Sequence, residues 1–288
     1  MSSAVLIAGY ALRETLRRRV FPIVLVLTTV FLGLFALGTR EAFQELRKAE
    51  GSGVLDAVPL EEQRLAGATL LGLAMFGTLF LGAVLAAFLT LSAVRGDAER
   101  GLLQPLVVRP VGREQVLLGR LVAAGTVCSL YVTAVFLAAA LINRWAGGWW
   151  PDAFLLPALE LAGAVVVIAA LSLLGSVFLS ATANGIAVFM IFGAGLVAGL
   201  LGQIGEALRS QTLMDVAHAA SWALPFEALY QDALAAISAR SLGLTQLVLQ
   251  LGPFGGAKTA GGWLAPWTIA YVALVVGGAI LAFRRRDL

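Results

Sequence analysis

Arg95-Gly-Asp-Ala-Glu-Arg-Gly-Leu-Leu-Gln-Pro-Leu-Val-Val-Arg-Pro-Val-Gly-Arg-Glu-Gln-Val-Leu-Leu-Gly-Arg120 is the stretch on which the fold turns. It gathers Arg95, Asp97, Glu99, Arg100, Arg109, Arg113, Glu114 and Arg120 between two apolar runs, 68–94 and 121–141, that carry no charge. Uncharged runs of that length are membrane spans, so the charged stretch between them must lie in water at a membrane surface. Pro105 and Pro110 bar one continuous helix by removing backbone donors. Gly101, Gly112 and Gly119 permit turns and close approach. Short helices along the membrane are expected, with Leu102, Leu103, Leu106, Val107 and Val108 as an apolar side and the arginines as a polar one. Such a segment offers a soluble partner something to grip.

Working outward, composition agrees with the membrane reading. The chain of 288 residues is 60% hydrophobic and 13% charged, against about 25% charged in soluble domains. A pI near 9.4 is accounted for by arginines flanking membrane spans, through orientation and headgroup contacts, so nucleic acid is not an expected partner. The one cysteine, Cys128, rules out an intrachain disulfide, and the one histidine, His218, leaves almost no nitrogen ligands for a metal. The basic N-terminus before an apolar run is signal-like, yet it lacks a small-residue cleavage site and reads as a retained first span.

The fold class expected is an all-α integral membrane protein, a single transmembrane domain over 1–288 with six spans at about 20–38, 68–94, 121–141, 154–180, 185–205 and 264–283. Lipid offers backbone groups no partners, so the spans must be helices. Residues 2–19, with Val5, Leu12 and Leu16 near one face and Arg13, Arg17, Arg18 and Arg19 crowding toward the membrane, fit an interfacial amphipathic helix or a plain basic anchor. Twelve of the 20 Lys/Arg fall on the side holding both termini and 95–120, which the positive-inside rule makes cytoplasmic.

On the other side, loop 39–67 extends the first helix through Glu41, Glu45, Arg47 and Lys48 to the Gly51-Ser52-Gly53 break. Trp145, Trp149 and Trp150, and again Trp222, Trp263 and Trp267, read as aromatic anchors at that interface. Residues 181–184 leave room only for a tight turn between the fourth and fifth spans, and Gly193, Gly195, Gly199, Gly277 and Gly278 favour close helix packing. In 206–263, Pro225 opens a helical pattern with Phe226, Leu229, Ala233, Leu234 and Ile237 near one face, and Leu244, Leu247, Val248 and Leu251 point to another. Short re-entrant or interfacial helices capping a pathway are expected there.

Chemical motifs are few. Gly252-Pro-Phe-Gly-Gly-Ala257-Lys258-Thr259 nearly matches a phosphate-binding loop, but Ala257 replaces the required glycine and the strand–helix context is missing. Asp215 and His218 have no nucleophile to serve. Within the six spans the only ionisable carboxyl, amine, guanidine or imidazole is that of Glu160, beside Pro157, expected at the interface facing water. A gradient-driven carrier needs intramembrane charge for coupling, and an enzyme needs a ligand or nucleophile cluster. Transport would instead draw energy from another protein docking on 95–120; a non-transporting membrane scaffold or assembly factor is the alternative.

At the residues the notion becomes specific. Ile7-Ala8 with Leu12-Arg13-Glu14 and Leu16-Arg17-Arg18-Arg19, Glu99-Arg100-Gly101, Arg109-Pro110-Val111-Gly112-Arg113, Leu118-Gly119-Arg120, and Phe283-Arg284-Arg285-Arg286-Asp287-Leu288 together resemble the membrane subunit of type-2 ATP-binding-cassette exporters. The chain is most similar to the permease group associated with multicopper-enzyme and nitrous-oxide-reductase maturation. It departs from that pattern at Leu102, often threonine, at Pro105, at Gly112, commonly serine, and at Arg120, commonly lysine.

The resemblance implies a coupling helix within 95–120 seated in a groove of a separate ATPase subunit. The interface would comprise Arg95, Asp97, Glu99, Arg100, Gly101, Leu102, Leu103, Leu106, Arg109, Pro110, Arg113, Gly119 and Arg120, with Arg13, Glu14 and Arg17 on the interfacial helix. It further implies a second permease copy as a homodimer, contact with membrane lipid, ATP and magnesium used only through the partner, residence in the inner or plasma membrane, and export. Copper is implied by the group alone; Met75, Met190 and Met214 are scattered and form no soft-ligand cluster.

Overall fold

The computed structural model describes residues 20–51, 59–91, 113–237 and 257–285. Eight helices occupy them: α1 (Val20–Gly51), α2 (Pro59–Thr90), α3 (Arg113–Gly147), α4 (Leu155–Phe178), α5 (Ala181–Ala207), α6 (Gln211–Ala223), α7 (Pro225–Ile237) and α8 (Leu264–Arg284). Six of these, all but α6 and α7, are long and apolar enough to cross a membrane, and no strand occurs among the described residues. The interfacial helix expected over 2–19 and the helix expected near 244–251 lie outside the described residues.

Prolines mark where helices begin. Pro22, Pro59, Pro157, Pro225 and Pro266 all sit in first turns, where the missing N–H would have had no intrahelical partner. Buried threonines within the spans are satisfied locally. Thr28, Thr39, Thr78 and Thr90 each donate to the carbonyl four residues back, at 2.7 Å, leaving no hydroxyl proton to be buried unmet.

The helices differ from the expected spans mainly by running past them. α1 continues through Glu41, Glu45 and Lys48, as expected, and Arg47 donates to the Ala146 carbonyl at 2.8 Å, satisfying the C-terminus of α3. α2 starts well before residue 68 and α3 well before 121. Residues 181–184 are not a turn but the first turn of α5; the break is Leu179–Ser180, with the Ser180 Oγ accepting from the Ala183 amide. A serine cap lets one helix start almost where another stops, which a count of loop residues misses.

α4 is the hub. It packs against α2, α3, α5, α7 and α8, while α1 lies on α2 and α3, and α6 lies on α5. Gly82 of α2 sits at the α2–α3–α4 junction, where an added Cβ would strike Val132 and Val165. Phe136 stacks on Phe154 (centroids 5.2 Å apart), and Phe154 on Trp150 (5.7 Å), closing the turn into α4.

The aromatic anchors divide. Trp145 is exposed, as an interfacial anchor would be, but Trp149 packs on Gly67 and Trp150 is held between Phe154 and the Arg144 guanidinium, 5.7 Å from its ring. The small-residue expectation divides too. Gly195 and Gly199 of α5 are met closely by Phe226 and Glu227 of α7, whereas Gly193, Gly277 and Gly278 face open space.

Candidate functional site

Chain direction gives the bundle two ends. The chain leaves α2 at Leu91 and enters α3 at Arg113, and two further elements meet it there. Asn184, in the first turn of α5, donates to Leu91 O at 3.3 Å and Ser172 O at 2.9 Å, tying the α4–α5 connection to the end of α2. Arg284, in the last turn of α8, pairs with Glu114 in the first turn of α3. That places a carboxylate at a helix N-terminus and a guanidinium at a helix C-terminus, each favoured by the helix dipole. With Arg120 and Arg285 nearby in sequence, this is the basic end.

The expected interface is only partly within view. Gly119 is buried on α3, Arg120 is half-buried one residue on, and Arg113 begins the helix. Arg95, Asp97, Glu99, Arg100, Gly101, Leu102, Leu103, Leu106, Arg109 and Pro110 lie outside the described residues, as do Arg13, Glu14 and Arg17.

At the opposite end, the outer turns of α5, helices α6 and α7, residues 257–263 and the start of α8 enclose a cavity of about 600 Å³. Loop chemistry builds its rim: Arg209, at φ 52°, turns the chain between α5 and α6, and Gly261, at φ 77°, turns it into α8. α7 forms the floor because its apolar face, Phe226, Leu229, Ala233, Leu234 and Ile237, is buried as the helical pattern predicts. The same packing carries Glu227 inward, where Gly199 makes room for it on α5 and the Gln231 amide donates to its carboxylate. Burial pushes the Glu227 carboxyl up to about 7, against the opposing pull of Gln231 and Lys258.

Several residues have roles that sequence spacing did not disclose. His218 is not paired with Asp215; its Nε2 accepts from the Trp222 indole at 3.1 Å, while Asp215 accepts from Gln211. Lys258, from the loop-like motif, pairs with Glu206 at 3.2 Å. Glu160 does not face water. It is buried on α4 against Asp232 of α7, with Oε2 lacking a hydrogen-bond partner. Glu227 carried no signal of its own beyond lying in a helix whose neighbours are apolar.

A six-span helical bundle with a charged connection at one end and a cavity at the other defines a polytopic membrane permease. The chain belongs to the ABC-2 family transporter proteins, whose profile matches residues 5–288. No curated protein matches it. As a member, it is a membrane subunit of an ATP-binding-cassette transporter, a transport component whose ATP is hydrolysed by a separate partner.

Proposed function

We propose that residues 1–288 form a single permease domain of an exporter, and that a separate ATPase docks on 95–120. The observation that carries this is the meeting of the α2 end, the α3 start, the α4–α5 connection and the α8 end on one face. A docking segment strung between α2 and α3 there has leverage on five of the six spans. Movement of the partner on binding and hydrolysing ATP and magnesium would be transmitted to the cavity end, since coupling requires contacts that differ between two states. This chain itself would bind neither.

The exporter direction and the likeness to maturation permeases rest on the motifs at 7–19, 99–120 and 283–288. The charge bias places both termini and 95–120 in the cytoplasm of a cell whose inner or plasma membrane holds the protein. Two copies would form the working unit, with lipid around them; the exposed apolar rows of α1 and α5 supply surface for both.

The test is affinity capture of the tagged permease from mild detergent, assayed for ATPase activity. Glu99→Lys or Arg113→Glu should abolish permease-stimulated hydrolysis while membrane insertion stays normal. Wild-type stimulation in both variants would refute the docking assignment. Folded permease that brings down no ATPase would favour the scaffold reading.

A further inference from the structure

The cavity between α5, α6, α7 and the start of α8 is built to hold more than water. Its volume of about 600 Å³ falls within the roughly 300–1,000 Å³ typical of small-molecule sites. Aromatic rings dominate one wall: Trp222 and Trp267 lie with ring centroids 5.3 Å apart, and His218 meets Trp222 edge-on at 6.1 Å. Glu227 also lines the cavity.

The hydrogen bonding on these walls decides which ligand is suited. The Trp222 indole donates to His218, and the Trp267 indole to the Trp222 carbonyl at 3.0 Å. Lys258 is engaged by Glu206 and Gln231 by Glu227. These contacts use the indole N–H of each of these tryptophans and one N–H each of Lys258 and Gln231. To a ligand the walls also offer the π-faces of the tryptophans and the negative charge of the buried Glu227 carboxylate. Both attract cations, and both strengthen when water is excluded. Glu206 and Lys258 cancel as a pair, so ionised Glu227 leaves the cavity with one surplus negative charge.

We propose that this cavity binds an organic cation with an apolar or aromatic body, its charge facing Glu227 and its body against Trp222 and Trp267. The site lies wholly within one chain, and binding there requires neither nucleotide nor ATPase. It deepens the transport reading only by naming a class of molecule for the permease to recognise. With burial raising the Glu227 carboxyl to about 7, the charge of a bound cation draws it into the ionised form.

The test uses the full chain purified in mild detergent, with tetraphenylphosphonium as probe and tetraphenylborate as its anion of the same shape, measured by equilibrium dialysis. Saturable binding of the cation at one site per chain is expected, with none for the anion. Glu227→Gln should weaken cation binding roughly tenfold or more, the cost of losing a charged contact in a buried site. Ala228→Phe, which adds bulk to the cavity lining and removes no charge, should weaken it strongly.

Because the probe is permanently charged, its pH dependence reports the protein alone. Binding should strengthen several-fold from pH 6 to pH 8, as Glu227 ionises. The other groups around Glu227 are Glu206 on α5, His218 on α6, Lys258, Tyr230 and Asp232 on α7, and Glu160 on α4. Glu227→Gln made in a His218→Gln background should therefore flatten the profile that His218→Gln alone retains. Equal binding of tetraphenylborate, or wild-type affinity in folded Glu227→Gln or Ala228→Phe protein, would overturn the proposal. Failure of the permease to capture an ATPase would sink the transport reading and leave this result untouched; loss of cation binding with ATPase coupling intact would do the reverse.

Discussion

Helices α1 and α4 are about equally hydropathic, yet 17% of the spanning window of α1 is buried within the chain against 61% of that of α4. Lipid tails are as apolar as leucine, so greasiness alone does not draw one helix to another; close packing and hydrogen bonds do. α4 presents Ala158, Ala164, Ala169, Ala170, Ser172 and Ser176, all buried, which let neighbouring backbones approach. α1 presents Ile23, Val26, Val30, Leu34 and Leu37, all exposed, and holds to the bundle by Val24, Thr28, Phe35 and Phe43. The Thr28 and Tyr131 hydroxyls hydrogen-bond to each other between α1 and α3, fixing the first third of α1. In a membrane, small residues build the hub and large ones the periphery.

The sharpest way to break that contrast is to overfill a junction. Gly82→Leu should force apart α2, α3 and α4 at Val132 and Val165, reaching or exceeding the top of the roughly 1–3 kcal/mol typical of overpacking. The expected readout is loss of the monodisperse species on size-exclusion chromatography. Gly33→Leu on α1, where an added side chain meets open space, should leave elution and melting unchanged. Comparable damage from Gly33→Leu would mean that the outer face of α1 is covered by another chain.

A smaller effect is expected at the basic end. Asn184→Ala leaves Leu91 O and Ser172 O without their donor, a cost of about 0.6–2 kcal/mol for an interhelical hydrogen bond. The melting temperature should fall modestly, while ATPase stimulation should fall more, because the α4–α5 connection is then released from α2. Equal proportional losses would show that Asn184 serves stability alone. The least effect belongs to Glu114→Gln. Its pair with Arg284 is solvent-exposed and worth at most about 1 kcal/mol, and the loss should shrink further at high salt.

Much of the periphery was legible because period and punctuation speak locally. Pro225 and the spacing of Phe226, Leu229, Ala233, Leu234 and Ile237 foretold α7 and its buried face. α6 was not foreseen, since Gln211–Ala223 carries no fully buried residue and so no strong apolar stripe. Glu160 was misread because its place beside Pro157 near the end of a span looked interfacial; only the return of α7 across α4 covers it. Trp149 packs on Gly67, a contact its local sequence does not announce.

From the residues alone followed the six spans, the helical state that lipid imposes and the charge asymmetry along the chain. Those are one-dimensional properties, set by run length, proline position and where charge can be solvated. Which span is the hub, which glycines are crowded, and that Glu227, Trp222, Trp267 and Lys258 share one cavity were decided only in three dimensions. Packing in lipid depends on the fit of surfaces from residues distant in the chain, and hydropathy scores those surfaces alike.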